Sequence, residues 1–377
     1  MMITGKRLLV LAAAAALASV LAGCGGSGTS ASLTGRVTDS RGAAIQGVTV
    51  SLVSPVAGRS AATDASGRFT LGGLPGGQTV IVRCKKDGYV SETSYPIPVT
   101  QGQSSEYETV LVRVGTSTVV DATVENVVTH ARPDGIRASV RLPAGSIVDS
   151  AGLPVASAVV NMTVIPIDPE GDECRPEVIA TRDPGDDKPA PLIATPAVAV
   201  ELKDPAGNEL KLDPTKPAII EFPIVPSSDP GKPTVGLWAQ KALPASWVEE
   251  GTATRDDTVN PPVYRAQVTH FSQFVSGTRG PYPYTAVITV YNDPTIPSPV
   301  PVPGAYVKAV DLGAGIIQVG TTDANGVVMF SMPGTSYYIR SSKLGYTDRR
   351  VYSTLQHLTI ISVAYWLQKI TTGGSGS

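Results

Sequence analysis

Few side chains in this chain have the spacing that catalysis or metal binding requires. The three histidines, His130, His270 and His357, lie far apart, and no His-x-x-Glu or His-Glu-x-x-His zinc motif occurs. His270 and Ser272 would share a strand face, but the sequence indicates no acidic partner for them. A Gly-x-Ser-x-Gly elbow and a phosphate-binding glycine loop are also absent. The sequence therefore predicts no enzyme, no cofactor and no metal site.

Aspartates recur in a short motif that has two physical interpretations. Asp-x-x-Gly begins at Asp39, Asp64, Asp149, Asp204 and Asp323. The carboxylate can accept a backbone N–H two residues later, while the glycine adopts a left-handed conformation that leads into the next strand. A calcium loop that began at Asp323 would need a glutamate at its twelfth position, where Gly334 stands. The motif therefore predicts turns.

The acidic segment 168–187 is the stronger candidate for a cation. It contains Asp-Pro-Glu-Gly-Asp-Glu at 168–173 and further aspartates at 183, 186 and 187. Several carboxylates on one loop could converge on a hard cation that prefers oxygen ligands. A solvated surface loop explains the same composition and is the preferred interpretation, so no metal ligand is assigned.

Cys24 stands where an export signal would end. Lys6 and Arg7 precede an uncharged, apolar stretch at 8–23, which is shorter than the ~20 residues of a membrane-spanning helix. The order Leu-Ala-Gly-Cys at 21–24 resembles the lipobox of bacterial lipoproteins. That resemblance implies cleavage before Cys24 and acylation of its new N-terminus. The alternative is an ordinary cleavage site near Ala22.

The lipobox resemblance also implies a location. Gly25 follows the cysteine, with no aspartate there to favour inner-membrane retention, so we expect lipid anchoring at the outer membrane or cell surface. A formal net charge of −2 argues against a nucleic-acid partner. The expected partners are the membrane, through the lipid, and a protein or polysaccharide ligand at the surface.

The other two cysteines leave a disulfide open. Cys84 continues the alternation of Val80 and Val82, so it should point into a sheet core. Cys174 lies in the acidic segment, and nothing in the sequence brings the two Cα atoms within the ~7 Å that a bridge requires. An unbridged Cys84 is the preferred interpretation.

The chain beyond the signal has the pattern of short strands joined by tight turns. The full chain contains 38 glycines and 32 prolines, and the part beyond the signal shows no sustained helical periodicity. From Leu33, apolar and polar residues alternate, with turn signals roughly every 8 to 12 residues. The predicted fold class is all-β, with tandem Ig-like or transthyretin-like β-sandwiches after the lipoprotein signal.

One sequence pattern occurs twice. Gly-Val-Thr-Val at 47–50 corresponds to Gly-Ala-Tyr-Val at 304–307, Thr-Asp-Ala-Ser-Gly at 63–67 to Thr-Asp-Ala-Asn-Gly at 322–326, and Lys-Asp-Gly-Tyr at 86–89 to Lys-Leu-Gly-Tyr at 343–346. Both copies resemble the carboxypeptidase regulatory-like module, a transthyretin-like sandwich. The resemblance implies a fold within a carbohydrate-binding-like superfamily. It implies no peptidase activity, because the catalytic zinc domain is a separate unit that this chain lacks.

These patterns divide the chain as follows: a signal peptide at 1–23, a flexible tether at 24–32, a regulatory-like sandwich at 33–113, a β-rich middle domain at 115–277, a proline-rich hinge at 278–284, a second regulatory-like sandwich at 285–368 and a flexible tail at 369–377. The middle domain resembles, more loosely, the β-rich segments that accompany such modules in bacterial surface proteins and in cartilage intermediate layer protein.

We expect a non-catalytic envelope lipoprotein that works in adhesion, scaffolding or binding. The alternatives are a carbohydrate-binding surface lipoprotein and an accessory subunit of a surface hydrolase. Stacking on sugars would need exposed aromatic rings. The candidates are Trp238 and Trp247 together with Tyr282, Tyr284, Tyr291, Tyr306, Tyr337, Tyr338, Tyr346 and Tyr352. Because most of these tyrosines follow the hinge, the last sandwich is expected to reach outward and carry the binding surface.

Overall fold

The fold consists of β-strands joined by turns and loops. The computed structural model describes residues 30–166, 180–183, 186–225, 231–241, 246–279, 284–292, 299–311, 317–332, 336–346, 349–354 and 360–366. Every regular element within these ranges is a strand, which confirms the all-β prediction. No helix that is long and apolar enough to cross a membrane occurs in them.

The first module is a sandwich of two sheets around its own core. Its strands are β1 (Ala31–Asp39), β2 (Thr49–Ser54), β3 (Ser60–Ala62), β4 (Arg68–Leu74), β5 (Gln78–Lys85), β6 (Glu92–Thr93), β7 (Ile97–Val99) and β8 (Ser104–Leu111). In one sheet, β1 pairs antiparallel with β4 and parallel with β8; the other has the order β3-β2-β5-β6, with β7 beside β5. Alternation on β5 buries Val80, Val82 and Cys84 against Tyr107 of the opposite sheet.

The distal module repeats this topology. Its strands are β23 (Tyr284–Tyr291), β24 (Tyr306–Asp311), β25 (Ile317–Thr321), β26 (Val327–Met332), β27 (Ser336–Ser342), β28 (Arg349–Thr354) and β29 (Ile360–Trp366). Here β23 pairs antiparallel with β26 and parallel with β29, and the second sheet has the order β25-β24-β27-β28. A separate core includes Ile288, Phe330 and Tyr337. The predicted internal repeat is therefore a repeat of structure.

The middle domain is one large sheet that folds over itself, with a separate two-stranded sheet of β12 and β17 beside it. Its strands are β9 (Thr116–Asp121), β10 (Asn126–Ala131), β11 (Arg137–Leu142), β12 (Ile147–Val148), β13 (Ser157–Ile165), β14 (Ala180–Asp183), β15 (Asp186–Ala194), β16 (Ala197–Lys203), β17 (Lys211–Leu212), β18 (Ala218–Pro223), β19 (Thr234–Lys241), β20 (Ser246–Asp256), β21 (Val263–Val268) and β22 (Gln273–Arg279). The strand order is β10-β11-β18-β21-β20-β14-β15-β22-β16-β13-β9, with β19 beside β20 and β22. Val128, Phe222, Phe274, Met162 and Val120, which are spread across this order, share one core. The two ends of the sheet therefore face each other as a sandwich.

An apolar contact joins the first module to the middle domain. Buried Val90 and half-buried Val112 of the first module belong to the same cluster as Trp238, Trp247 and Val275 of the middle domain. Indole Nε1 of Trp238 donates to the carbonyl oxygen of Gly277 at 3.1 Å, so its polar atom is satisfied within this contact. The first module and the middle domain therefore meet through an apolar centre with polar groups around it.

The distal module lies against the first module through hydrogen bonds. The amide of Glu106 on β8 donates to the carbonyl of Gly304 at 2.9 Å, and the Thr321 hydroxyl donates to the Glu106 carbonyl at 3.1 Å. The Arg340 guanidinium lies 3.3 Å from the Glu108 carboxylate. The distal module therefore contacts the first module directly, and the expectation that it reaches outward and carries the binding surface stays a prediction. Of the predicted hinge, residues 280–283 lie outside the described ranges.

Candidate functional site

Several residues singled out from the sequence lie outside the described ranges. These are Cys24, with the whole signal and residues 24–29 of the tether, Cys174, and most of the acidic segment 168–187. Lipidation of Cys24, cation binding by the acidic segment and the pairing of the two other cysteines therefore stay predictions. Cys84 lies on β5 with none of its surface exposed, as its alternation predicted.

His270 and Ser272 are not partners in the structure. The hydroxyl of Ser272 donates to the carbonyl oxygen of Gln240 at 2.9 Å. Nε2 of His270 lies 2.8 Å from a carboxylate oxygen of Glu250 and 3.3 Å from Nζ of Lys241. The serine hydroxyl thus has its own acceptor, and the pair lacks the nucleophile–base hydrogen bond that a triad requires.

The Asp-x-x-Gly motifs form the predicted turns. In the first module, Oδ1 of Asp64 accepts the amides of Ser66 at 2.8 Å and Arg68 at 2.9 Å, while Gly67 has a φ of 74°. The hydrogen bond from the Ser66 hydroxyl is the main reason that the pKa of Asp64 lies below its ordinary value. The Asp64 carboxylate therefore accepts hydrogen bonds from residues of its own turn. The same arrangement at Asp323 confirms turn chemistry there.

The aromatic residues do not form an exposed platform. Tyr306 and Tyr337 of the distal module are buried, and so are Trp238 and Trp247 at the contact of the first module with the middle domain. No aromatic side chain that the structure describes is exposed. The side chains of Tyr282, Tyr284 and Tyr352 lie outside the description. Tyr291, Tyr338 and Tyr346 of the distal module are half-buried, so none of its described tyrosines is fully exposed.

A cleft of about 520 Å³ lies between the first module and the middle domain. The first module contributes its edge around β6, and the middle domain contributes β16, the segment before β17 and the start of β22. The polar side chains along it are Arg83, Ser91, Thr93, Glu201, Lys203, Glu209, Lys211, Gln240, Thr269, His270, Ser272 and Gln273. Phe271 and Leu210 are half-buried apolar residues of its wall. Binding sites of this size are common at domain interfaces.

Gln273 is the most constrained polar side chain of the cleft. Its Nε2 donates to the carbonyl oxygen of Ser91 at 2.8 Å, across the boundary between the two units. Only 6% of the residue is exposed, and its Oε1 has no hydrogen-bond partner among the described residues. An amide oxygen that is buried in this way normally accepts a hydrogen bond. The wall of the cleft therefore contains a buried amide oxygen that has no hydrogen-bond partner among the described residues.

Three charged side chains of the cleft, Glu201, Lys203 and Glu209, are paired with groups in or beside it. Nζ of Lys203 lies 3.7 Å from Asp87 and 4.0 Å from Glu201, and the Ser91 hydroxyl donates to Glu201 at 3.2 Å. Glu209 accepts a hydrogen bond from Lys85, which is the main reason that its pKa is lowered. The cleft consequently offers both donors and acceptors without a large excess of either charge.

Among the described residues, no group of three or more histidine, cysteine or carboxylate side chains is placed to hold a metal ion. Sequence reasoning missed the cleft because Ser91 and Gln273 are 182 residues apart. No local spacing signals that contact, and only the docking of two separately folded units creates it.

Several solved structures are similar to this chain at low sequence identity. No curated protein matches the chain. Among solved structures, the chain is similar to the Bacillus anthracis TIE protein, with 12% identity and a TM-score of 0.21 over 91% of this chain and 51% of that protein. The present chain spans about half of the length of the TIE protein. BcpA, the major pilin subunit of Bacillus cereus, has 12% identity and a TM-score of 0.20 over 90% of this chain and 100% of that one. The major pilin SpaD of Corynebacterium diphtheriae has 9% identity and a TM-score of 0.20, over 91% and 98%.

A family model gives the more specific result. Residues 32–125 match the carboxypeptidase regulatory-like domain. The match covers β1 to β8 and continues through β9 into the turn that follows. The residues of the first copy that carried the resemblance, from Gly47 to Tyr89, all lie inside the match, whereas the resemblance of the second copy at 285–368 stays a prediction. The first module thus contains the carboxypeptidase regulatory-like domain that its motifs predicted.

Proposed function

We propose that this protein is a non-catalytic binding or scaffolding lipoprotein of the cell envelope, held at the outer membrane or cell surface by acylated Cys24. The observation that carries the proposal is the packing of the first module against both of its neighbours. This packing builds a continuous body with an open polar cleft instead of a flexible string of domains. A body of that kind presents a preformed surface, which lowers the entropic cost of binding.

Anchoring follows from the proposed processing at Cys24. Acyl chains contribute ~0.8 kcal/mol per buried methylene, and more than one chain is needed for stable attachment. Residues 24–30 are rich in glycine and serine, so they would act as a flexible spacer between the lipid and β1, which begins at Ala31, two residues before the predicted end of the tether. The protein would then bind its ligand outside the membrane to which it is anchored.

We predict that Cys24→Ser abolishes lipidation and membrane attachment. Cells expressing the variant should accumulate uncleaved precursor or release soluble protein, as measured by fractionation and by incorporation of labelled fatty acid. Cys174→Ser is the matched control, because it removes a cysteine without touching the processing site. If Cys24→Ser protein stays in the membrane fraction after a high-salt wash and still carries label, the anchoring proposal is wrong.

Ligand binding is tested with the soluble chain from residue 33 onward. We expect it to bind intact cells or extracellular matrix saturably and to show no hydrolytic activity on peptide or glycoside substrates. Competition by soluble sugars would support the carbohydrate-binding alternative, whereas loss of binding after protease treatment of the target would support adhesion to a protein. Turnover of a substrate by the isolated chain would contradict the proposal.

A further inference from the structure

We propose that the contact between the distal module and the first module is a reversible latch, which ion pairs hold closed and which opens when those pairs are screened or removed. The closed state is the one in the structure, where the distal module lies against β8. In the open state the distal module lies away from the first module, while the first module and the middle domain stay together. The latch goes beyond the proposed function, since it operates whatever ligand the protein binds.

The strand β8 presents two carboxylates to the distal module. Tyr107 and Leu111 belong to the core of the first module, so alternation along the strand places Glu106 and Glu108 on the opposite face. A glutamate on the outer face of a sheet is normally exposed, yet only 5% of Glu106 is exposed. Its amide donates to the Gly304 carbonyl, so the distal module lies directly against this position.

The distal module brings two cations to these carboxylates. Nη1 of Arg340 lies 3.3 Å from the Glu108 carboxylate, and the two side chains are only 25% and 24% exposed. The ammonium of Lys343 donates to the Pro303 carbonyl of its own module. Burial lowers the pKa of Lys343, and the negative charge of Glu106 opposes that shift. Each module therefore contributes one sign of charge to the contact.

The described part of this contact has no apolar centre. The core clusters of the first and distal modules each contain residues of their own module alone. The contact of the first module with the middle domain, by contrast, includes Val90 in a shared apolar cluster. Hydroxyl groups take this place in the latch: those of Tyr95 and Thr321 lie 3.0 Å apart, and that of Ser342 donates to Glu108 at 3.4 Å. Domains move relative to each other unless their interface is large and hydrophobic, so this contact is the one that can open.

Ion pairs of this kind stabilise a contact only weakly. When the modules separate, water solvates the charged groups again, which offsets much of the lost attraction. Salt shortens the Debye length from ~10 Å at 0.1 M to ~3 Å at 1 M, so it weakens attraction between partly exposed charges. The apolar contact at Val90 does not depend on that attraction. Raised ionic strength should therefore release the distal module alone, including the contact of its β26 with β15 of the middle domain.

The test uses the soluble chain from residue 25 onward, with amide hydrogen exchange and small-angle X-ray scattering as readouts. The Glu106 amide reports the closed latch, because its acceptor belongs to the distal module. The amides of Val48 and Ala305 report the folding of the two modules, because each donates to a threonine hydroxyl of its own module. Between about 0.05 M and about 1 M NaCl we expect exchange at Glu106 to accelerate about five- to tenfold and the radius of gyration to increase. Exchange at Val48 and Ala305 should not change.

Charge reversal tests the ion pair itself at low salt. Arg340→Glu places a carboxylate against Glu108 and should accelerate exchange at Glu106 by more than about tenfold. Combining it with Glu108→Arg restores opposite charges and should return that exchange to within about threefold of the wild type. Arg141→Glu is the matched control, because Arg141 pairs with Glu125 inside the middle domain, and it should leave exchange at Glu106 unchanged.

The latch is overturned if salt changes neither the exchange at Glu106 nor the radius of gyration, or if the reciprocal double variant stays as open as Arg340→Glu. It is also overturned if Ala305 accelerates together with Glu106, because the distal module would then be unfolding instead of undocking. An effect of Arg141→Glu as large as that of Arg340→Glu would show a general response to net charge and would likewise contradict the latch.

Discussion

At the scale of single residues, the first and distal modules share the same internal hydrogen bonds. In the first module, the buried Thr63 hydroxyl accepts the amide of Val48 at 2.8 Å and donates to the Ile45 carbonyl at 2.6 Å. In the distal module, Thr322 does the same with Ala305 and Val302, at 2.8 and 2.7 Å. Each threonine satisfies two backbone groups that would otherwise be buried without partners. The motif Thr-Asp-x-x-Gly therefore links the turn to the core.

We predict that Gly67→Ala destabilises the first module more than Gly42→Ala. Both glycines have positive φ, 74° and 75°, so both substitutions should cost ~1–2 kcal/mol of backbone strain. A Cβ on Gly67 would also lie 2.4 Å from the Val37 carbonyl oxygen, whereas one on Gly42 would meet nothing within 4 Å. Denaturant unfolding followed by hydrogen exchange in β1 to β8 measures the difference. Equal destabilisation would contradict the role assigned to the crowded turn.

The sequence predicted these turns but not the cleft. Asp64 and Gly67 lie within one short segment, and their chemistry is local, so their roles follow from residue type and spacing. The burial of Trp238 and the position of Gln273 depend on which faces of two units meet. The alternation of apolar and polar residues indicates which face of its strand Trp238 lies on. It does not show whether that face is buried in a domain core or in an interface between two units.

At the scale of elements, alternation and turn signals predicted the strands of the two sandwiches, and the internal repeat indicated that both share one topology. The parallel pairing of β1 with β8 and of β23 with β29 was not predictable, since it joins strands roughly 70 residues apart. The order of the middle sheet was equally inaccessible, because neighbours such as β11 and β18 pair across long sequence separations. Pairings of this kind depend on global packing.

We predict that Gly304→Ala separates the distal module from the first, and that Gly47→Ala, at the equivalent position of the first module, does not. Both glycines have positive φ, 67° and 72°, so they share the strain. A Cβ on Gly304 would lie 2.7 Å from the Ser104 carbonyl oxygen, whereas on Gly47 it would meet only the end of Lys86 at 3.2 Å.

Amide exchange at Glu106 reports this contact directly, because that amide donates to the Gly304 carbonyl. We expect faster exchange at Glu106 in Gly304→Ala, together with a larger radius of gyration in solution. Protection at Glu106 that is the same in both variants would show that the contact does not depend on this close approach.

At the scale of the whole molecule, the first module contacts both other units, and β15 of the middle domain also contacts β26 of the distal module. The first module contacts the middle domain through Val90 and the distal module through Glu106. Length and composition predicted separate β-rich units, and each has its own core. The sequence did not predict how these units pack against each other. The proline-rich segment 278–284 was compatible with an extended chain as well as with a return onto the first module.

This arrangement leads to a prediction about the contact between the first module and the middle domain. Deletion of residues 284–366 should leave that contact in place, because the two remaining units keep their own cores. Val90→Asp should instead open it, since the substitution places a carboxylate among the apolar side chains of the contact. Acrylamide quenching of tryptophan fluorescence measures the contrast, because Trp238 and Trp247 are buried in this contact. We expect stronger quenching in the shortened chain with Val90→Asp than in the shortened chain alone, with melting curves to confirm that both variants are folded. Equal quenching in the two variants would show that Val90 does not hold the units together.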